Sequence, residues 1–179
     1  MEQNLTRELI LSAGIKLFAK NAYADVSVDS IVESAGISKG TFYYYFKSKE
    51  EFYKSILAYA FESLIKIYNS NSKKLKKPDE KLHAFVNAVF QSFKNDKNLF
   101  FIIQKELVKI VIGEESDFLD YQKKIFQLLK EILMSQDDIV CFYIMGILRS
   151  SIIYHLKTNE PLMIVKMKAW EYIKKILGW

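Results

Sequence analysis

The stretch from Ser27 to Glu51 decides the fold of this chain, and it reads S-V-D-S-I-V-E-S-A-G-I-S-K-G-T-F-Y-Y-Y-F-K-S-K-E-E. Ser27 is a favourable N-cap for a short helix, and Gly36 suits the left-handed backbone that commonly follows a helix end. Ser38 then caps a second short helix, predicted over Lys39–Tyr45. Two short helices joined by so brief a turn have the spacing of a helix-turn-helix.

The second short helix has two unlike faces. Phe42 and Phe46 are four residues apart, so they share one face, which we expect to point into a core. Gly40, Thr41 and Tyr44 lie on the opposite side of the helical wheel and are predicted to face solvent. A glycine lets the helix backbone approach a DNA groove closely, and a threonine offers a hydroxyl and a methyl group to base edges. The pattern predicts DNA binding, although a packed helical head without that function would show the same two faces.

Working outward, helical periodicity continues along the whole chain, and the fold class is predicted to be all-α with about nine helices. Residues 1–47 are expected to form a three-helix head, with the helix-turn-helix at about 27–46. A long fourth helix then joins the head to a helical bundle, so that 48–179 forms a second, larger domain.

Particular residues set the expected helix limits of the second domain. Ser48-Lys49-Glu50-Glu51 is a capping box at the start of the fourth helix, and Pro78 interrupts the pattern before the fifth. Residues 99–112 are apolar on almost every side, so this sixth helix is expected to be buried. Ser116 is expected to begin the seventh.

The segment A-G-I-S-K-G-T-F-Y-Y-Y-F-K-S-K-E-E resembles the DNA-binding segment of the TetR family of bacterial repressors, and the similarity covers about residues 5–60. This resemblance implies an N-terminal DNA-binding head followed by a divergent domain for effector binding and dimerisation. Tyr45 departs from the family pattern, which often has histidine there, so the role of position 45 is open. The DNA contacts implied by position are Ser27 and Ser38 to phosphates at the two helix starts, Lys39, Gly40, Thr41 and Tyr43 in or beside the major groove, and Tyr44 and Lys49 to the DNA backbone.

The resemblance also implies a homodimer formed through the last two helices, about 138–157 and 161–177. Apolar residues such as Ile144 and Leu148 fit that interface, and Gly146 would permit close approach, although an ordinary monomeric core would use the same residues. The second domain is rich in phenylalanine, which suits a small apolar or aromatic effector. The effector and the residues that bind it are not identified by the sequence.

The sequence gives no support for an enzyme or for a protein that binds a metal or cofactor. His83 and His155 are isolated from each other and from any nucleophile, and no phosphate-binding or hydrolase motif occurs. We therefore expect no catalytic residue, no metal and no cofactor. The single cysteine, Cys141, fits a reducing compartment.

The sequence favours neither a membrane-spanning protein nor an inference of DNA binding from overall positive charge. The most apolar stretch, 139–156, contains Arg149, so a buried helix is expected rather than a membrane span, and the protein is expected to be cytoplasmic. The net charge is +5, but residues 1–50 carry six Lys/Arg and six Asp/Glu. The prediction is therefore a ligand-responsive transcriptional regulator, with a helical carrier or interaction protein that kept the head as the alternative.

Overall fold

The computed structural model describes residues 2–179, with side chains from Leu5 onward. Over these residues the regular secondary structure is entirely helical, with nine helices and no strand, which confirms the all-α fold class. The helices are α1 Glu2–Lys20, α2 Val28–Ala35, α3 Lys39–Tyr45, α4 Lys49–Ser72, α5 Pro78–Asn95, α6 Lys97–Val111, α7 Leu119–Leu133, α8 Asp138–Thr158 and α9 Leu162–Leu177.

The helices pack into two compact units. Unit 1 contains the chain up to Glu62 together with Asp96–Leu119, and unit 2 contains Ser63–Asn95 and Asp120–Trp179. Helix α4 contributes its first part to unit 1 and its last part to unit 2. This division describes packing, and the functional boundary after residue 47 stays a prediction.

An aromatic core holds α1, α3 and the start of α4 together in unit 1. Phe42, Phe46 and Phe52 are at most 3% exposed. The ring centroids of Phe46 and Phe52 are 4.7 Å apart, and those of Phe42 and Phe52 are 5.4 Å apart, both in edge-on geometry. Aromatic pairs prefer this geometry because the positive ring edge meets the negative ring face. The face of α3 that carries Phe42, continued by Phe46 just after the helix, therefore points inward, as the helical wheel predicts.

Helix α6 corrects one expectation. Residues 99–112 were expected to be buried on all sides, but within α6 only Ile102 and Glu106 are fully buried. Val111 is 81% exposed, and Ile112, just past the helix end, is 62% exposed. The reason is that α6 packs with one side against α1, and a helix packed on one side buries only the residues of that side.

The start of α7 is a second correction. Ser116 was expected to begin this helix, which instead begins at Leu119. The Ser116 hydroxyl accepts the backbone N–H of Phe118 (3.1 Å) and donates to a carboxylate oxygen of Glu106 (2.7 Å). These two bonds hold the chain in a turn, so the helix starts after them.

Unit 2 is built around α5, which packs against α8 and α9, while α8 and α9 pack against each other. Among the residues of α8, Cys141, Ile144, Leu148 and Ile152 are fully buried. Apolar residues on its other side are exposed, so the expectation of a buried helix holds for one face only. Among the described residues, α8 is the single helix that is both long enough and apolar enough to span a membrane. The core helix of a protein outside membranes can have the same length and composition.

A first prediction concerns Gly14, which lies against the aromatic core. A Cβ atom at position 14 would lie 2.3 Å from the Phe52 ring, which is fully buried and cannot move aside without disturbing Phe42 and Phe46. Gly14→Ala should therefore lower the free energy of unfolding by about 1–3 kcal/mol, measured by urea denaturation. Gly40→Ala is the matched control, because its Cβ would meet only the Ser38 hydroxyl, at 3.6 Å. Equal urea midpoints for the two variants would contradict this packing.

Candidate nucleic-acid interface

Reciprocal hydrogen bonds fix the start of α2. The Ser27 hydroxyl accepts the backbone N–H of Ser30 (3.0 Å), and the Ser30 hydroxyl accepts the backbone N–H of Ser27 (3.2 Å). Two N–H groups that a helix start leaves unpaired are satisfied in this way. The capping role expected of Ser27 is observed, with a serine in the position that glutamate more often occupies.

The turn between α2 and α3 depends on Gly36. This residue has φ = 65° and ψ = 36°, a left-handed conformation that carries a steric cost for residues with a Cβ atom. The backbone N–H of Ile37 donates to the carbonyl of Val32 (3.0 Å), which closes the end of α2. The chain is thereby turned sharply into α3, as the sequence pattern indicates.

At the start of α3, Ser38 and Thr41 are joined. The Ser38 hydroxyl accepts the backbone N–H of Thr41 (3.0 Å), and the two side-chain oxygens are 2.9 Å apart. Thr41 is half-buried. The pair fixes the rotamer of Thr41 before any ligand is present.

Beyond this pair, α3 presents tyrosine side chains to solvent. Tyr43 is 52% exposed and Tyr44 is 70% exposed, whereas Tyr45 is half-buried and packs edge-on against Tyr44 with ring centroids 5.0 Å apart. Gly40 is exposed on the same helix. The outer surface of α3 is therefore a glycine beside two exposed phenol rings.

Both predicted basic residues already have partners within the protein. The Lys39 ammonium lies 2.6 Å from a carboxylate oxygen of Asp29, whose hydrogen bond raises the pKa of Lys39. The Lys49 ammonium donates to the backbone carbonyls of Tyr23 (3.0 Å) and Val26 (2.9 Å) and lies 4.3 Å from the centre of the Tyr23 ring. Lys49 thus fastens the turn between α1 and α2 to the start of α4, and its predicted contact with DNA stays a prediction.

The start of α4 shows a modified capping box. The Ser48 hydroxyl accepts the backbone N–H of Glu51 (3.0 Å), as expected. The Glu51 carboxylate, however, accepts the backbone N–H of Lys47 (3.1 Å) rather than that of Ser48. The predicted DNA-contact residues lie at the N-caps of α2 and α3, within α3 and at the first residue of α4, and all but Thr41 and Lys49 are exposed.

Comparison with known proteins identifies this arrangement. Residues 10–56 match the model of the bacterial regulatory proteins of the TetR family. A solved transcriptional regulator of the TetR/AcrR family from Aquifex aeolicus is 29% identical, with 96% of this chain and 99% of that chain covered and a TM-score of 0.70. The chain belongs to the TetR family. Membership confirms the family resemblance seen in the sequence, and it favours a regulator over an enzyme, as expected.

Two curated relatives extend the similarity of this TetR-family chain beyond the head. An HTH-type transcriptional regulator of Bacillus subtilis is 32% identical over 128 residues, and the match covers 68% of this chain and 42% of the relative. The fatty acid metabolism regulator protein of the same organism is 29% identical over 131 residues, with 73% and 64% covered. The chain thus spans less than two thirds of the length of either relative. The fatty acid degradation regulator of Bacillus halodurans shares the fold, at 21% identity and a TM-score of 0.78, with 93% of each chain covered.

One residue that the sequence pattern did not reveal is Lys105, which caps the end of α1. Its ammonium donates to the carbonyls of Phe18 (2.7 Å), Ala19 (3.1 Å) and Asn21 (2.8 Å). The last carbonyls of a helix have no partner within it, and their partial negative charge favours a cation. The available signal in the sequence was a lysine within an apolar helix. The carbonyl groups that this lysine binds lie more than 80 residues away in the chain, so the local pattern does not identify them.

Glu106 is a second unpredicted residue, and it is fully buried. One carboxylate oxygen accepts hydrogen bonds from the Tyr53 hydroxyl (2.8 Å) and the Lys109 ammonium (2.7 Å), and the other accepts from the Ser116 hydroxyl (2.7 Å). Burial and the bond to Glu106 raise the pKa of Tyr53, which keeps the phenol protonated as a donor. This satisfied carboxylate joins α4, α6 and the turn before α7.

In the described part of the chain, the remaining titratable side chains form no further candidate site. Among the residues that the structure describes, no group of three or more His, Cys, Asp or Glu side chains could hold a metal ion. His155 makes a 2.7 Å hydrogen bond through Nδ1 with the carbonyl oxygen of Glu160, and His83 packs on Trp170 with ring centroids 4.9 Å apart. Burial lowers the pKa of His83. Each histidine therefore contacts another residue of the protein, and neither belongs to a metal site among the described residues.

A second prediction tests the cap on α1. Lys105→Met keeps the length of the side chain but leaves three carbonyl groups without their charged donor, so the free energy of unfolding should fall by about 1–3 kcal/mol. Lys97→Met, at an exposed position of the same helix, is the matched control and should unfold like the wild type. Both variants are compared by chemical denaturation followed by circular dichroism. A stability for Lys105→Met equal to that of the control would show that the cap contributes nothing.

Proposed function

We propose that this chain is a DNA-binding transcriptional regulator that inserts α3 into the major groove of an operator. The observation that carries the proposal is the outer surface of α3, where Gly40, Tyr43 and Tyr44 face solvent. Such a surface is poor for packing within the head, but it lets the backbone approach a groove while phenol hydroxyls reach phosphates. Thr41 is the proposed base contact, with its hydroxyl oriented by Ser38.

Phosphate contacts at the helix starts complete the proposed DNA-binding surface. Ser27 and Ser38 lie exposed at the starts of α2 and α3, where phosphate contacts would position the head on the duplex. Lys39 would exchange Asp29 for a phosphate, because the present ion pair is exposed on both sides and such pairs are weak. Lys49 would have to leave two carbonyl groups to reach DNA.

We further propose a homodimer that pairs α8 and α9 with their copies. One short recognition helix specifies too few base pairs alone, whereas a dimer reads two half-sites on a pseudo-palindrome. The support is a set of large apolar side chains on these two helices, each of which is at least 36% exposed in the single chain. So much exposed apolar surface is unusual in a protein away from an interface. They are Ile139, Phe142, Tyr143, Tyr154, Leu156, Met163, Ile164, Met167, Tyr172 and Ile176.

The proposed effector is a small apolar molecule that releases the regulator from DNA, which makes the chain a cytoplasmic repressor. Phe85, Phe90, Phe93 and Phe126 bury their rings in unit 2, so its interior is rich in aromatic surface. One curated relative is named a fatty acid metabolism regulator, which makes molecules with a long acyl chain the first class to test.

Helix α4 offers a route for release. It runs without interruption from Lys49, next to the DNA-binding surface, to Ser72 in unit 2. A ligand that tilts α4 would change the spacing of the two heads, and grooves at a fixed separation of about 34 Å would then lose contacts on one side. A coupling of about 1–3 kcal/mol suffices, and operator DNA must weaken effector binding by the same factor.

A third prediction tests base recognition. Selection from a random duplex library should yield a pseudo-palindrome for the wild type, and Thr41→Ala should cost about 1–3 kcal/mol in operator affinity and relax the preference at one base pair per half-site. Thr41→Ser, which keeps the hydroxyl that bonds Ser38, is the control and should retain most of the affinity. Recovery of unrelated sequences by the wild type would favour a carrier or interaction protein instead.

A fourth prediction tests the dimer. Met163 and Met167 are 66% and 57% exposed on α9, and replacing both by Glu would place four carboxylates in the two-fold interface. Met163→Glu/Met167→Glu should sediment as a monomer with an unchanged circular dichroism spectrum. Met134→Glu, at an 84% exposed methionine outside α8 and α9, should remain a dimer. A double variant that still sediments as a dimer would rule out this interface.

A further inference from the structure

The engagement of Lys39 and Lys49 inside the protein raises the question of which cations near α3 are available to DNA. Arg7 on α1 and Lys47, just after α3, are exposed. No carboxylate among the described side chains makes an ion pair with either of them, whereas Lys39 pairs with Asp29 and Lys54 with Glu50. Among the described side chains, Arg7 and Lys47 are therefore cations without an ion-pair partner.

Both cations are adjacent to Phe46, the residue that follows α3. The guanidinium carbon of Arg7 lies 5.5 Å from the centre of the Phe46 ring, which is 3% exposed. A guanidinium over an aromatic ring is attracted by the negative charge of the ring face, and its five N–H groups are donors suited to phosphate oxygens. The side chain of Arg7 is thus already ordered beside the C-terminal end of α3.

Lys47 is held near the same ring by its backbone. Its N–H donates to the Glu51 carboxylate (3.1 Å), which fixes the turn between α3 and α4 while the side chain stays in solvent. Glu51 is an acidic neighbour that reduces the local positive charge, but it is engaged by this bond. Arg7 and Lys47 thus form one exposed basic edge beside the buried Phe46 ring, which we name the Phe46 edge.

We infer that Arg7 and Lys47 bind phosphates of the DNA backbone at the Phe46 edge, and that Lys49 instead stabilises the head. This inference rests on the proposed DNA binding and adds contacts to it. A guanidinium can donate two parallel hydrogen bonds to one phosphate, and a flexible lysine supplies a point charge to the next. Because phosphates are the same in every sequence, these contacts should add affinity without base preference.

The salt dependence of binding tests the inference, because each phosphate contact adds about 0.9 to the slope of log K against log salt concentration. Arg7→Gln and Lys47→Gln should each flatten that slope by about 0.9, on a random-sequence duplex and on the selected operator alike. Lys49→Gln should leave the slope unchanged but lower the urea midpoint of unfolding. Lys16→Gln is the matched control, since Lys16 is exposed on α1 and lies nine residues from Arg7, about half a turn round the helix.

The outcomes separate this inference from the proposed function. A wild type that binds no duplex would overturn the proposed function, whereas a wild type that binds with unchanged slopes for Arg7→Gln and Lys47→Gln would overturn the inference alone. A flatter slope for Lys49→Gln would show that Lys49 contacts a phosphate, and it would contradict the role inferred here for Lys49. Arg7 covers the Phe46 ring, so Arg7→Lys is included as a variant that keeps the charge. Lys47→Gln removes no side-chain contact among the described residues, so it should not unfold the head.

Discussion

The packing of Phe42 and Phe46 against Phe52 is the contact on which the rest of unit 1 depends. With these two rings turned inward, the opposite side of α3 must face solvent, because the rotation of a short helix is fixed once one face is buried. Gly14 makes this packing possible, since α1 can then approach Phe52 without a side chain in between. The surface offered to DNA is therefore set by residues that never touch it.

Two lysines hold the region between α1 and α2, each from a distant part of the chain. Lys105 binds carbonyls at the end of α1, and Lys49 binds carbonyls just before α2. A buried carboxylate with every hydrogen bond satisfied, such as that of Glu106, fixes geometry more than it adds stability. Helix α6, which carries Lys105 and Glu106, therefore holds α1 and α4 in a defined arrangement.

Local patterns in the sequence were enough to predict the fold class, the limits of α3, the capping role of Ser27 and the left-handed Gly36. These features depend on neighbouring residues, and helix propensity and capping act over a few positions. The partners of Lys49 and Lys105 lie 23 to 87 residues away, and Glu106 binds Ser116 and Tyr53 at separations of 10 and 53 residues, so no periodicity reveals these contacts. The expectation for α6 was wrong for a related reason: composition gives the apolar character of a helix but not how many neighbours cover it.

Cys141 gives unit 2 a built-in reporter of its own opening. It is the single cysteine of the chain, it is fully buried, and burial raises the pKa of its thiol. A thiol reagent reacts with the thiolate, so labelling requires α8 to separate from its neighbours first. The labelling rate of the unmodified protein consequently measures the free energy of local opening in unit 2, while fluctuations confined to unit 1 leave no signal.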